Sequence, residues 1–299
     1  MKRTNAQTKN SRTAAKRLET AVHGVFLLLG LVTVGCVLLM TVYLILSGLP
    51  AIREIGLTKF LFGKTWASTA ATPEYGILPF ILTSVYGTAG AIVLGVPVGF
   101  LAAVYIAKLA PKRVQRVLQS AVSLLAGIPS VVYGLVGMLV LVPGIRRLFH
   151  VPDGASLLAA IVVLAIMILP SIIKVSVTAL EAVPQAYEDA SLALGATPVE
   201  TYFRVSVPAA KSGIAAAVVL GVGRAIGEAM AVMMVSGNAP NMPELMGSVR
   251  FLTTAVASEM SYSSGLQRQA LFSIALVLFL FILLINATLN FFLKRDREG

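Results

Sequence analysis

The chain has 299 residues, of which 57% are hydrophobic and only 12% charged, with a formal net charge of +11. Soluble domains carry charge on about a quarter of their residues, so the composition excludes a soluble globular class and predicts an all-α integral membrane protein. The single cysteine, Cys36, excludes an internal disulfide and a cysteine-based metal site, and His23 and His150 stand alone, so no metal centre is expected.

Runs of about 20 apolar residues cross a bilayer as helices, and six can be drawn, at residues 22–46, 78–107, 118–141, 157–177, 212–235 and 271–292. The predicted organisation is a basic tail at 1–21, a first transmembrane helix at 22–46 and an extracytoplasmic segment at 47–77. A transmembrane core at 78–292 and a short tail at 293–299 follow. Basic residues precede the first run as in a signal peptide, but the run is too long and no clear small-x-small cleavage site follows, so it reads as an uncleaved helix. With the amino terminus in the cytoplasm, sixteen of the 24 Lys and Arg residues fall inside and seven outside, Arg224 belonging to neither side. That asymmetry predicts both termini inside. It also accounts for the net charge without a nucleic-acid surface, since no basic patch is interleaved with aromatics.

The segment 47–77 contains Ile52, Ile55, Phe60, Leu61, Phe62 and the one tryptophan, Trp66. It reads as a short interfacial helix with Trp66 as its membrane anchor. In the third run Pro129 follows Ala126, Gly127 and Ile128. Proline removes a backbone donor, and broken backbone at membrane depth needs protein or a watery cavity to satisfy it. The kink either lines a pathway, with Ser130 and Tyr133 facing it, or only serves packing. In the fourth run Lys174 lies near the cytoplasmic end and is expected to snorkel.

The cytoplasmic loop after the fourth run has its own local logic. Pro184 can open a helix, and Glu188 and Asp189 sit early in it, where the helix dipole favours anions. Tyr187, Ala190, Ser191 and Leu194 share one face. Gly195 is a natural stop, Thr197 and Glu200 form a capping box around Pro198, and Pro208 is expected to limit the second helix. The loop either packs on its own bundle or fills a groove on another protein.

The fifth run holds Arg224 and Glu228 in otherwise apolar sequence. As a helix they share a face at i, i+4 and can pair. They either neutralise each other, or Arg224 faces a pathway while Glu228 holds its guanidinium. Gly223 and Gly227 leave room for another backbone. No nucleotide-binding, Ser/His/Asp or HExxH pattern occurs, so no catalytic residue is expected in this chain.

The loop resembles the EAA loop of ABC-importer permeases, with Asp189-Ala190-Ser191 in the Glu-Ala-Ala place, Gly195 at the matching spacing and Val205-Ser206-Val207-Pro208 nine residues on. Asp for Glu, Ser for Ala, and Val for Ile and Leu are departures that keep charge sign, small size or apolarity. Residues 75–111, 124–143 and 221–238 extend the likeness to the C-type (PstC-type) permeases of bacterial phosphate-specific ABC importers. The resemblance implies a type I (MetI-like) permease fold with six transmembrane helices in the bacterial cytoplasmic membrane. It implies a coupling helix that uses Tyr187, Asp189, Ala190, Ser191, Leu194 and Gly195, and a pathway that includes Arg224, Glu228, Ser130 and Tyr133. The implied partners are membrane lipid, a second related permease, two ATPase subunits and an extracytoplasmic phosphate-binding protein. ATP and Mg would be used by the ATPase, with no cofactor held by this chain.

Three other readings compete. A permease for molybdate or sulfate would keep the machine and change the cargo. A secondary transporter would use Arg224 and Glu228 as a proton relay, but it needs no coupling loop and usually shows internal repeats. An intramembrane enzyme using Glu228 would lack a second catalytic partner on another run.

Overall fold

The computed structural model describes the backbone of residues 2–298 and the side chains of residues 19–20, 22–288 and 291. The basic residues at 2, 3, 9, 12, 16, 17, 294, 295 and 297 lie outside the described side chains. Helix α1 (Lys2–Ile55) carries the first apolar run and continues past position 46 through Pro50. A short α2 (Leu57–Phe62) and an antiparallel pair, β1 (Trp66–Ala67) and β2 (Glu74–Tyr75), follow. Helix α3 (Leu78–Val104) ends in a π-helical turn, Tyr105–Leu109. Next come α4 (Lys112–Gly127), α5 (Ser130–Val136), a second π-helical turn (Gly137–Leu141) and α6 (Val142–Phe149). Helix α7 (Leu157–Glu181) leads into the loop helices α8 (Gln185–Ala193) and α9 (Pro198–Thr201), a third π-helical turn (Tyr202–Ser206) and α10 (Val207–Ala209). The chain closes with α11 (Lys211–Gly227), α12 (Met230–Val235), α13 (Leu252–Glu259) and α14 (Gly265–Glu298).

Among the described residues, five stretches are long and apolar enough to cross a membrane: Val22–Ile55, Leu78–Leu109, Ser130–Phe149, Leu157–Glu181 and Gly265–Thr288. Pro198–Ala209 and Lys211–Gly227, bent by 72°, pass the same test as a pair and bring the number to six. The longer member of that pair is α11, whose 17 residues rise about 26 Å.

Helix α7 is the centre of the bundle, packed between α3 and α11, with 61% of its apolar window buried against 0% for the first span. Lipid tails are as apolar as leucine, so helices in a bilayer associate through close packing of small residues. Helix α3 supplies them: a methyl group added at Gly90, Gly95 or Gly99 would lie 2.7, 2.8 or 2.9 Å from Ile161, Ile168 or Ile172 of α7. Helix α1 joins the bundle along α14, where Ser273 Oγ donates to the Gly48 carbonyl at 2.6 Å.

Four expectations are corrected. The third span is Ser130–Phe149 and not 118–141, because the missing N–H of Pro129 stops α4 at Gly127 and restarts the chain as α5. Helix α4 is amphipathic with no buried residue. The fifth run is not one helix: α11 ends at Gly227 and Glu228 is extended, with φ −74° and ψ 129°. Pro208 does not end the second loop helix, because the preceding π-helical turn shifts the hydrogen-bond register and lets the chain run on to Ala209. Trp66 is no membrane anchor. It is 5% exposed in a core with Phe60, Tyr75, Ile77, Phe80 and Leu252.

Candidate functional site

Arg224 lies in the last turn of α11, about 20 Å along its axis from Lys211 at 1.5 Å per residue, and is half-buried. Its Nη1 donates to Ser171 Oγ at 3.1 Å, a hydroxyl that follows Pro170 on α7. Among the described residues it has no acidic partner. The predicted Arg224–Glu228 pair is absent because the helix needed to align the two residues stops between them. A Glu228 carboxylate oxygen instead accepts the Ala231 N–H at 3.0 Å, satisfying a free donor at the start of α12. The Glu228 carbonyl accepts from Thr253 Oγ1 at 2.8 Å, so α13 braces the break. Among the described residues, no atom from beyond the local helix backbone lies within 4 Å of where a Cβ at Gly223 or Gly227 would sit, so that face of α11 is open.

Tyr133 is half-buried on α5 and bridges the other break, its hydroxyl donating to the Leu125 carbonyl at 2.8 Å. Ser130 begins α5 beside Pro129 and has no hydrogen-bond partner among the described residues. The two breaks meet through helix packing: α5 lies against α12, and a methyl at Gly134 would lie 2.8 Å from Ala231 Cα. The arrangement holds a guanidinium at membrane depth with most of its five donors uncommitted. That is a group suited to a tetrahedral oxyanion.

In the loop between α7 and α11, α8 starts after Pro184 and stops before Gly195, which has φ +90°. The capping box is present: Thr197 Oγ1 accepts the Glu200 N–H at 3.3 Å, and Glu200 Oε2 accepts the Thr197 N–H at 3.0 Å. These bonds from Thr197 hold the Glu200 carboxyl below its ordinary range. Tyr187, Ala190 and Leu194 are exposed, with Leu194 90% exposed. Ser191 turns inward and shares a 2.9 Å hydrogen bond with Thr201 Oγ1, so the predicted face is not uniform. Asp189 is exposed and accepts from Gln185 at 3.3 Å. The buried acid is its neighbour Glu188, which lies 2.5 Å from Lys108 Nζ.

A second polar cluster was not foreseen. Glu259 accepts from Trp66 Nε1 at 3.2 Å, from Gln267 at 3.1 Å and from Arg250. Arg250 also donates to the Asn238 carbonyl at 2.9 Å and lies over the Phe80 ring. Burial, then Glu54 and Glu259, raise the Tyr75 phenol above its ordinary value. No sequence signal joins residues 193 positions apart, as Trp66 and Glu259 are.

Residues 95–297 match the family described as the binding-protein-dependent transport system inner membrane component. The chain is 39% identical over 265 residues to the probable ABC transporter permease protein YqgH of Bacillus subtilis, covering 86% of each chain. It is 34% identical over 242 residues to the phosphate transport system permease protein PstC of Pasteurella multocida, covering 74% of this chain and 75% of that one. Among solved structures, the inward-facing MetNI methionine ABC transporter is similar with a TM-score of 0.55 at 21% identity, over 74% of this chain and 94% of that one.

Proposed function

Because the chain belongs to the family of binding-protein-dependent transport system inner membrane components, we propose that it is the permease subunit of an ATP-driven phosphate importer. The phosphate assignment is supported by the names of relatives such as the permease of Pasteurella multocida and by one observation in particular. Arg224 sits within the fifth span with only a neutral hydroxyl as its partner among the described residues. A charge at membrane depth is costly and marks a pathway. A phosphate oxyanion would complete the guanidinium's hydrogen bonds, and Tyr133 and Ser130 would line the same passage. Glu228 serves the site indirectly, by holding the helix break that ends α11 just beyond Arg224.

A second, related permease would face the open side of α11 and complete the passage. Two ATPase subunits would receive α8 through Tyr187, Ala190 and Leu194, with Asp189 at the rim, and would carry out ATP hydrolysis with Mg. An extracytoplasmic binding protein would deliver the anion, and both termini would lie in the cytoplasm.

The test is uptake by the full complex in proteoliposomes. Radiolabelled phosphate should accumulate on ATP addition and be displaced by unlabelled phosphate, with tenfold excess sulfate or molybdate having little effect. Uptake of sulfate or molybdate in preference to phosphate would overturn the cargo assignment.

A further inference from the structure

The cytoplasmic end of the bundle contains a buried ion pair that anion passage does not use. Lys108 Nζ lies 2.5 Å from Glu188 Oε1, with side-chain exposures of 10% and 7%. Ser206 Oγ donates to the same oxygen at 2.8 Å. Three segments therefore meet at one atom: the turn that ends α3, the loop helix α8 and the turn that continues through α10 to the 72° bend where α11 begins. Lys108 and Ser206 each sit in a π-helical turn, and the Ala110 N–H bonds back to the Tyr105 carbonyl at 2.8 Å. Such turns insert a residue, redirect side chains and concentrate at functional sites. The bond between Ser191 and Thr201 adds a link from α8 to α9.

A buried ion pair is a poor way to stabilise a fold, because desolvation offsets much of the attraction. It is a good way to fix one geometry, since opening it leaves a buried charge unpaired. Its position gives that rigidity a use. Helix α11 carries Arg224 at its far end, and α3 packs along α7, which carries Ser171, the partner of Arg224. The cluster thus ties α8 to both sides of the Arg224–Ser171 contact.

We propose that Lys108, Glu188 and Ser206 are positioning residues that make α8 and the cytoplasmic ends of α3 and α11 move as one body. Displacement of α8 by an ATPase then reaches the anion site without being absorbed in the loop. The inward-facing Glu188, and not the exposed Asp189 that the motif resemblance selects, is the acid that carries this link. The proposal rests on reading the loop as the ATPase contact.

The test uses the full complex with two readouts. The first is ATP hydrolysed per phosphate imported. Glu188→Gln and Lys108→Met should assemble with the ATPase at parental levels and keep hydrolysing ATP, but need at least tenfold more ATP per phosphate. The charge swap Lys108→Glu with Glu188→Lys should recover coupling to within threefold of the parent. Single variants with parental coupling would overturn the proposal. So would loss of ATPase assembly that the swap does not restore, because the residues would then only fold the loop. The second readout needs no cargo: spin labels at Ala193→Cys on α8 and Ala216→Cys on α11, in a Cys36→Ser background. Their separation should stay constant between nucleotide states in the parent and become nucleotide-dependent in Glu188→Gln. A parental separation that shifts with nucleotide would refute the rigid link even if the cargo assignment holds. A parent that imports no phosphate yet keeps the constant separation would refute the cargo assignment alone.

Discussion

Replacing Arg224 by glutamine tests the proposed anion site most directly. The guanidinium has five N–H donors, one of which is committed to Ser171 Oγ. Glutamine keeps two donors but loses the charge and the planar fork. A hydrogen bond to a charged group is worth about 1.5–3 kcal/mol, so losing one such contact to phosphate lowers transport about 10- to 150-fold at 1.4 kcal/mol per factor of ten. Arg224→Lys keeps the charge without the fork and should fall between parent and glutamine. The contrast lies at Glu228. Its carboxylate accepts the Ala231 N–H at 3.0 Å, a role that a glutamine oxygen also fills, so Glu228→Gln should stay within about threefold of the parent. Glu228→Ala removes the acceptor and should cost about 0.5–2 kcal/mol, the range for a lost cap. The assay is the initial rate of phosphate uptake against concentration, in complexes shown to contain both permeases and the ATPase. Parental transport by assembled Arg224→Gln would refute the site. A collapse in Glu228→Gln that is relieved by adding Arg224→Gln would restore the pairing that the structure removes.

Gly195 has φ +90° with open space around it, so Gly195→Val is opposed by backbone strain of about 1–2 kcal/mol and not by crowding. Uptake should fall while the subunit stays in the membrane, and normal uptake at normal expression would count against the turn. The one tryptophan, Trp66, is 5% exposed, so its fluorescence should resist quenching by brominated lipid, whereas an interfacial anchor would be quenched strongly. Asp153 is exposed in the connection before α7. In a Cys36→Ser background, Asp153→Cys should react with an impermeant maleimide from the extracytoplasmic side, and labelling only from the cytoplasm would reverse the topology.

Some features were legible because their causes lie within a few residues. Apolar runs identify membrane spans whatever the neighbouring helices do, since the cost of exposing backbone to lipid is met inside each helix. The turn at Gly195 and the reciprocal bonds of Thr197 and Glu200 depend on residues at most three positions apart, so their sequence spacing predicts their geometry. Arg224 was recognisable as a candidate because a cation within an apolar run stands out in any fold.

Its partner was not recognisable. The sequence from Gly221 to Met230 suits a continuous helix and also a broken one, and distant contacts decide between them. Thr253, 25 residues away, holds the Glu228 carbonyl, and α5 packs its Gly134 against the second half at Ala231. The same holds for Glu188, whose partners Lys108 and Ser206 come from other segments, and for Trp66, which packs in a core with Leu252 and donates to a carboxylate 193 positions away. The sequence by itself determined the membrane class, the number of crossings, the loop's local turns and the presence of a cation within a span. Only the tertiary structure decided which charges pair, because an ion pair forms where packing brings side chains within a few ångströms, and residue spacing controls that distance only inside a single unbroken helix.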